Sequence, residues 1–170
     1  TCALDDTGVV CWGGDSGGRT DVPALSNPTY VSASYIVSCA IDDTGVVCWG
    51  SNGASGTVAG VPVLSSPTQI AVGYGHACAL HDTGVECWGR DVYLQYFGIW
   101  AVPWYGWDLL EIPELNNPTE IRSGYYHVCA LVDTGLACWG YNEMGQTDVP
   151  SLSNTTEVST GGTHTCAIED

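Results

Sequence analysis

ACALHDTGVECWG, residues 77–89, returns with few changes as TCALDDTGVVCWG from Thr1, SCAIDDTGVVCWG from Ser38 and VCALVDTGLACWG from Val128, and TCAIED opens a fifth copy at Thr165. The first cysteines of the copies, Cys2, Cys39, Cys78, Cys129 and Cys166, are 37, 39, 51 and 37 residues apart. That is the length of one supersecondary unit, too small to bury a core by itself. The chain therefore reads as a single repeat array over residues 1–170, with units starting near 1, 38, 77, 128 and 165, whose stability is shared between neighbours. It opens inside one unit and closes inside another, which reads as a segment of a longer array or a processed product.

Short apolar stretches separated by Gly, Pro, Asn and Asp predict strands rather than helices. In the third unit Pro67 to Gly73, His76 to Leu80 and Val85 to Gly89 read as three strands, and a looser stretch ending near Ile112 and Pro113 is a candidate fourth. Between the second and third strands, Asp42-Asp43-Thr44-Gly45 and its equivalents predict a tight turn, with Asp bonding the backbone ahead and Gly supplying a positive φ.

The hairpin fixes the cysteines. Around a four-residue loop Leu80 faces Val85, Ala79 faces Glu86 and Cys78 faces Cys87, which brings the two sulfurs within reach of a disulfide. The expected bridges are Cys2–Cys11, Cys39–Cys48, Cys78–Cys87 and Cys129–Cys138, leaving Cys166 unpaired within the chain. A zinc site would favour Cys-x2-Cys pairs. His76, His127 and His164 each stand two residues before a first Cys, but Val37 takes that place in the second unit, so structural histidines are the better reading and no metal is expected. Bridges place the chain in oxidising surroundings: periplasm, cell surface or beyond. On the opposite face of each ribbon a small residue accompanies an indole, Ala3 with Trp12, Ala40 with Trp49, Ala79 with Trp88 and Ala130 with Trp139, a knob and recess suited to contact between successive units.

The charge balance excludes some functions. Nineteen acidic residues face three arginines and no lysine, for a net charge of −16. Nucleic acid and anionic membrane both require clustered cations, so neither is an expected partner. Acid in such excess fits the solubility of an extracellular or halotolerant surface better than a specific cationic partner. No apolar run approaches the roughly 18 residues needed for direct membrane insertion.

The phrase H-x-C-A-L-x-D-T-G-x-x-C-W-G, followed in the fourth unit by YNEMGQTDVP (Tyr141 to Pro150), resembles the regulator of chromosome condensation repeat in its short, cysteine-bearing bacterial form. The resemblance implies an all-β fold of propeller blades, each an antiparallel sheet of about four strands, in rings of commonly about seven blades. Four blades and a partial fifth would then belong to a larger ring or array. Members of the family include a nucleotide-exchange factor that works on chromatin and a secreted inhibitor of β-lactamases; what they share is binding through blade-edge loops, and fold alone does not carry function. The scarcity of basic residues and the expected bridges point to an exported relative.

Three motifs invite chemistry. Asp6-Thr7-Gly8, Asp43-Thr44-Gly45, Asp82-Thr83-Gly84 and Asp133-Thr134-Gly135 spell the aspartic-protease triplet, but that chemistry needs two carboxylates sharing a proton. Here each triplet tips a separate hairpin. The acidic pairs at Asp5 and Asp42 fall short of the six to eight oxygens calcium takes. Asn154-Thr155-Thr156 is the chain's glycosylation sequon, standing where other units carry Pro after Asn or Ser.

The third unit alone departs from the pattern, inserting residues 90–111, RDVYLQYFGIWAVPWYGWDLLE. It holds Tyr93, Tyr96, Phe97, Trp100, Trp104, Tyr105 and Trp107. Rings in this density either cover the molecule's own blades or dock a partner. The expected function is non-enzymatic: an exported propeller segment serving as a structural or protein-binding surface, with the insertion as its main contact. Further copies of the chain are one expected partner, building an array or filament. The alternative is a recognition domain of an extracellular enzyme that binds carbohydrate. No catalytic residue, cofactor or metal is expected.

Overall fold

The computed structural model describes residues 1–50, 60–89 and 111–170. The described chain is all β, in thirteen strands. β1 (Cys2–Asp5) and β2 (Gly8–Cys11) form a two-stranded sheet. Three three-stranded antiparallel sheets follow: β3 (Tyr30–Ala33), β4 (Val37–Asp42) and β5 (Gly45–Gly50); β6 (Gln69–Val72), β7 (His76–His81) and β8 (Gly84–Gly89); β9 (Glu120–Ser123), β10 (His127–Val132) and β11 (Gly135–Gly140). β12 (Thr155–Thr160) and β13 (Thr165–Glu169) close the chain as a pair. The looser stretch around Ile112 and Pro113 forms no strand, so a sheet holds three strands among the described residues, one fewer than expected. Connectors of this kind carry Pro and residues with positive φ, Asn27 (47°), Ser66 (50°), Asn117 (52°) and Asn154 (56°), and such backbone cannot continue a ladder.

The hairpin register is the expected one, Leu80 opposite Val85 and Cys78 opposite Cys87, and the ladder runs one pair further to His81 and Gly84, leaving a two-residue loop. In the second unit Asp42 holds that loop: its Oδ1 accepts the Thr44 backbone N–H at 2.8 Å and the Thr44 hydroxyl at 2.6 Å, while Gly45 takes φ 116°. Asp5 does the same for Thr7. The bridges Cys2–Cys11, Cys39–Cys48, Cys78–Cys87 and Cys129–Cys138 are present, with Cα separations of 4.0 to 4.1 Å, and Cys166 is free and exposed. Backbone geometry explains the closeness. Thr1 and Trp12 exchange both ladder bonds, so the adjacent Cys2–Cys11 pair falls on the narrow, non-hydrogen-bonded rung.

The sheets stack through unlike faces. Val37, Cys39 and Ile41 of the second unit pack against Ile70, Val72, Ala77, Ala79 and Trp88 of the third. Cys78, Leu80 and Ala71 of the third pack in turn against Ile121, Val128, Ala130 and Trp139 of the fourth. The disulfide faces of the second and third units thus lie under the indole faces of the third and fourth. The first cysteine of the bridge is wholly buried at Cys39, Cys78 and Cys129. Polar groups also cross the junction: the Gln69 amide donates to Thr119 O at 3.0 Å and its oxygen accepts the Ile121 N–H at 3.1 Å, satisfying two groups at the edge of β9. The first strands β3, β6, β9 and β12 line one shared space, which marks the axis of the blades. Among the described residues no helix is long and apolar enough to cross a membrane.

Candidate functional site

The aromatic residues singled out by sequence, Tyr93, Tyr96, Phe97, Trp100, Trp104, Tyr105 and Trp107, lie outside the described residues. The structure brings together a different set. In each unit the loop between the first and second strands occupies the same rim, and its residue four before the first cysteine is Tyr35, Tyr74 and Tyr125 in the second, third and fourth units. These three rings run as a row across the blades: Tyr35 stacks on Tyr74 with centroids 5.9 Å apart, and Tyr74 meets Tyr125 at 6.2 Å. Tyr126 joins edge-on at 5.6 Å from Tyr74, and Tyr141 lies 6.0 Å beyond it. Tyr35 is 59% and Tyr125 46% exposed, large values for aromatic rings already in contact with others.

Backbone hydrogen bonds hold these loops in register. The Tyr74 N–H donates to Tyr125 O at 2.9 Å, and the Tyr125 N–H donates to Gly162 O at 3.2 Å. Gly162 stands where a fourth tyrosine would fall, and the Tyr125 ring lies over it, 3.2 Å from where a Cβ would stand. At the other end of the row Arg19 caps Tyr35, its guanidinium carbon 5.4 Å from the ring centroid. Its Nη1 donates to Tyr35 O, and its Nε donates to Ser16 O at 2.9 Å. The sequence signal for this tyrosine is its fixed offset, four residues before Cys39, Cys78 and Cys129.

Two histidines reach across blade junctions. His76 and His127 are buried, and each reaches the next unit: His76 Nε2 to Ser123 Oγ at 2.8 Å and His127 Nε2 to Thr165 Oγ1 at 2.9 Å. Val128 stands where the fifth unit has Thr165, so His76 takes its hydroxyl from Ser123 instead. Desolvation, then the neighbouring His127, lowers the His76 pKa to about 4; desolvation, then His164, lowers that of His127 to about 4. Each imidazole lies on a glycine. A Cβ on Gly73 would stand 2.0 Å from His76 Cε1, and one on Gly124 would stand 2.2 Å from His127 Cε1. The second unit, with Val37 in place of His, has Ser34 in place of Gly.

The triplet aspartates act as clips within their own units. Asn27 Nδ2 donates to Asp43 at 2.6 Å, Ser65 Oγ to Asp82 at 2.7 Å and Asn117 Nδ2 to Asp133 at 3.0 Å, each tying a hairpin tip to the connector before it. The Ser65 hydroxyl lowers the Asp82 pKa first, burial opposing it; for Asp42 the Thr44 hydroxyl is the leading cause. Among the described residues no three His, Cys, Asp or Glu side chains converge as metal ligands. Asn154 of the sequon is exposed in a positive-φ turn.

No curated protein sequence matches the chain. Solved structures do. The ectodomain of the receptor kinase CR4 from Physcomitrella patens superposes over 99% of this chain with TM-score 0.74 at 21% identity, and the CRINKLY WD40 ectodomain of ACR4 from Arabidopsis thaliana over 85% with TM-score 0.63, also at 21%. Prp20p of Saccharomyces cerevisiae, described with its binding to Gsp1p and histones, superposes over 82% with TM-score 0.59 at 19% identity. The chain spans 46%, 46% and 40% of these structures, so it matches less than half of each. At such identities the likeness is one of fold, the β-propeller. The model of the regulator of chromosome condensation (RCC1) repeat matches residues 68–95 and 119–146, in the third and fourth units. The chain is thus built of stapled hairpins stacked as blades of a β-propeller, and two of its units, the third and fourth, match the model of the RCC1 repeat.

Proposed function

We propose that this propeller segment is a non-enzymatic, protein-binding surface of an exported protein, with the aromatic insertion 90–111 as its main contact. The observation that carries the reading is the position of Gly89. A Cβ there would fall 2.5 Å from Gly75 O, so the third strand ends against the loop that bears Tyr74. Gly89, the residue before the insertion, therefore stands at the rim that exposes the tyrosine row. Aromatic side chains contribute large contact areas at low entropic cost, which is why they anchor protein interfaces. Four disulfides favour an extracellular or periplasmic setting.

Self-association is the simplest form of such binding, and sedimentation of the purified chain over a range of concentrations reads it directly. A photo-reactive residue placed at Trp104, against a control at Thr83 on a hairpin tip, then tests the contact in the protein's own surroundings. Crosslinks concentrated at 104, to a copy of the chain or to another protein, support the reading. Equal crosslinking at both positions overturns it.

A further inference from the structure

We infer that the tyrosine row Tyr35–Tyr74–Tyr125 docks an arginine-bearing segment of a partner protein, each guanidinium lying over an exposed ring. The inference rests on the protein-binding reading above and names the chemistry of the partner. Three observations carry it. First, the chain already shows the contact within itself: Arg19 lies over Tyr35, its guanidinium carbon 5.4 Å from the ring centroid and its N–H groups on the carbonyls of Tyr35 and Ser16. Tyr125, further along the same row, also offers an exposed phenol, and among the described residues no arginine lies over it. Second, the surrounding charge favours a cation over an anion. Nineteen acids against three arginines give a negative field over the whole molecule, and the Tyr141 hydroxyl at the far end of the row donates to the Glu143 carboxylate at 3.3 Å. An anionic or acidic partner would be repelled, whereas a basic one is steered in.

Third, two of the row's three loops are braced: Tyr74 is tied to Tyr125 and Tyr125 to Gly162 by backbone bonds, and the Tyr125 ring lies against Gly162. Rings held in place before binding lose little entropy when a guanidinium settles on them. Arginine suits such a surface better than lysine, because its planar group stacks on an aromatic face and still donates laterally to backbone carbonyls.

The test uses the full chain and a fluorescein-labelled peptide of alternating arginine and glycine, with a citrulline-for-arginine peptide of the same length and a neutral oligosaccharide as competing probes. The arginine peptide is expected to bind and to shift the ring resonances of Tyr74 and Tyr125. Tyr125→Leu, which leaves the net charge unchanged, is expected to weaken binding about threefold to tenfold. Tyr35→Leu, at the more exposed end of the row, gives a second reading should the first variant fold poorly. Equal binding of the citrulline peptide, unchanged affinity in folded Tyr125→Leu and Tyr35→Leu, or ring shifts produced by the oligosaccharide and not by the arginine peptide would each overturn the inference. If the arginine peptide fails while crosslinks still concentrate at 104, the partner's chemistry is wrong and the protein-binding reading stands. If the peptide binds and those crosslinks are absent, protein binding stands on the tyrosine row and the insertion is not its main contact.

Discussion

His76 Nε2 and Ser123 Oγ meet at 2.8 Å across the junction of two blades, inside a wall of disulfide on one side and indole on the other. The imidazole is neutral there. A buried imidazolium would have to shed its water shell with no carboxylate beside it among the described residues, and burial accordingly lowers its pKa from 6.5 to about 4.

Stability should therefore fall as acid is added. Between about pH 6.5 and 4 the unfolded chain takes up a proton at His76 that the folded chain refuses, so the contribution is full above the unfolded pKa and is lost toward the folded one. The shift corresponds to roughly 3 kcal/mol once the pH has dropped to about 4. Asp42 and Asp82, held below the ordinary carboxylate value of 3.8, add their losses only at lower pH. Denaturant titrations at pH 7, 5.5 and 4.5 should show the free energy of unfolding declining across the histidine window. A flat profile there would mean the imidazole is not buried as described.

The glycine beneath each imidazole should be replaceable only together with it. Gly73→Ala puts a methyl 2.0 Å from His76 Cε1 and is expected to cost about 1–3 kcal/mol through overpacking. The double change Gly73→Ser with His76→Val copies the Ser34 and Val37 pair of the second unit, and should recover most of that loss. It should also remove the His76 share of the acid dependence and leave that of His127, whose pKa is likewise lowered to about 4. Urea midpoints of the single and double variants decide the matter.

That pairing shows where sequence reading reached and where it stopped. Strand register, the four bridges and the turn aspartate at Asp42 all follow from spacings of a few residues, so the phrase itself displays them. The opposed Ala79 and Trp88 face was equally visible, but its partner was not. That the indole covers the disulfide of the preceding unit requires knowing how blades stack. The hydroxyls that satisfy His76 and His127 come from non-equivalent positions, Ser123 and Thr165, 47 and 38 residues away, a choice only three-dimensional proximity makes. The tyrosine row escaped because its members, one per unit, look unremarkable until the loops are set side by side.

The disulfides should differ in accessibility. Cys39, Cys78 and Cys129 are sealed under neighbouring sheets, whereas Cys2 and Cys11 are both partly open. Mild reductant under native conditions, followed by alkylation and mass spectrometry, should label Cys166 at once and Cys2 and Cys11 next, before any other pair. Removing one bridge, as in Cys78→Ala with Cys87→Ala, is expected to cost about 2–3 kcal/mol. Labelling of Cys78 ahead of Cys2 would contradict the stacking.

The four CWG indoles should be unequal. Trp88 is 6% exposed beneath the Cys39 face and Trp12 is 52% exposed. Trp88→Ala is expected to cost about 3–5 kcal/mol, a large aromatic deletion from a closed junction. Trp12→Ala should cost less than half of that. Thermal denaturation of the two variants side by side distinguishes motif identity from packing environment, and equal losses would show that the motif position alone sets the effect.

Nine cysteines could join in many wrong ways; eight of them alone allow about 105 complete pairings. Each native partner, however, is only 9 residues away, while cysteines of different blades are separated by far longer loops. Short loops close at the least entropic cost, and the two-residue turn pinned by Asp5 or Asp42 brings the sulfurs opposite each other before any blade has met its neighbour. Oxidation can thus proceed in the order of synthesis, one ribbon at a time. The array then assembles from parts whose register is already covalently fixed, and a slipped strand has no route to persist.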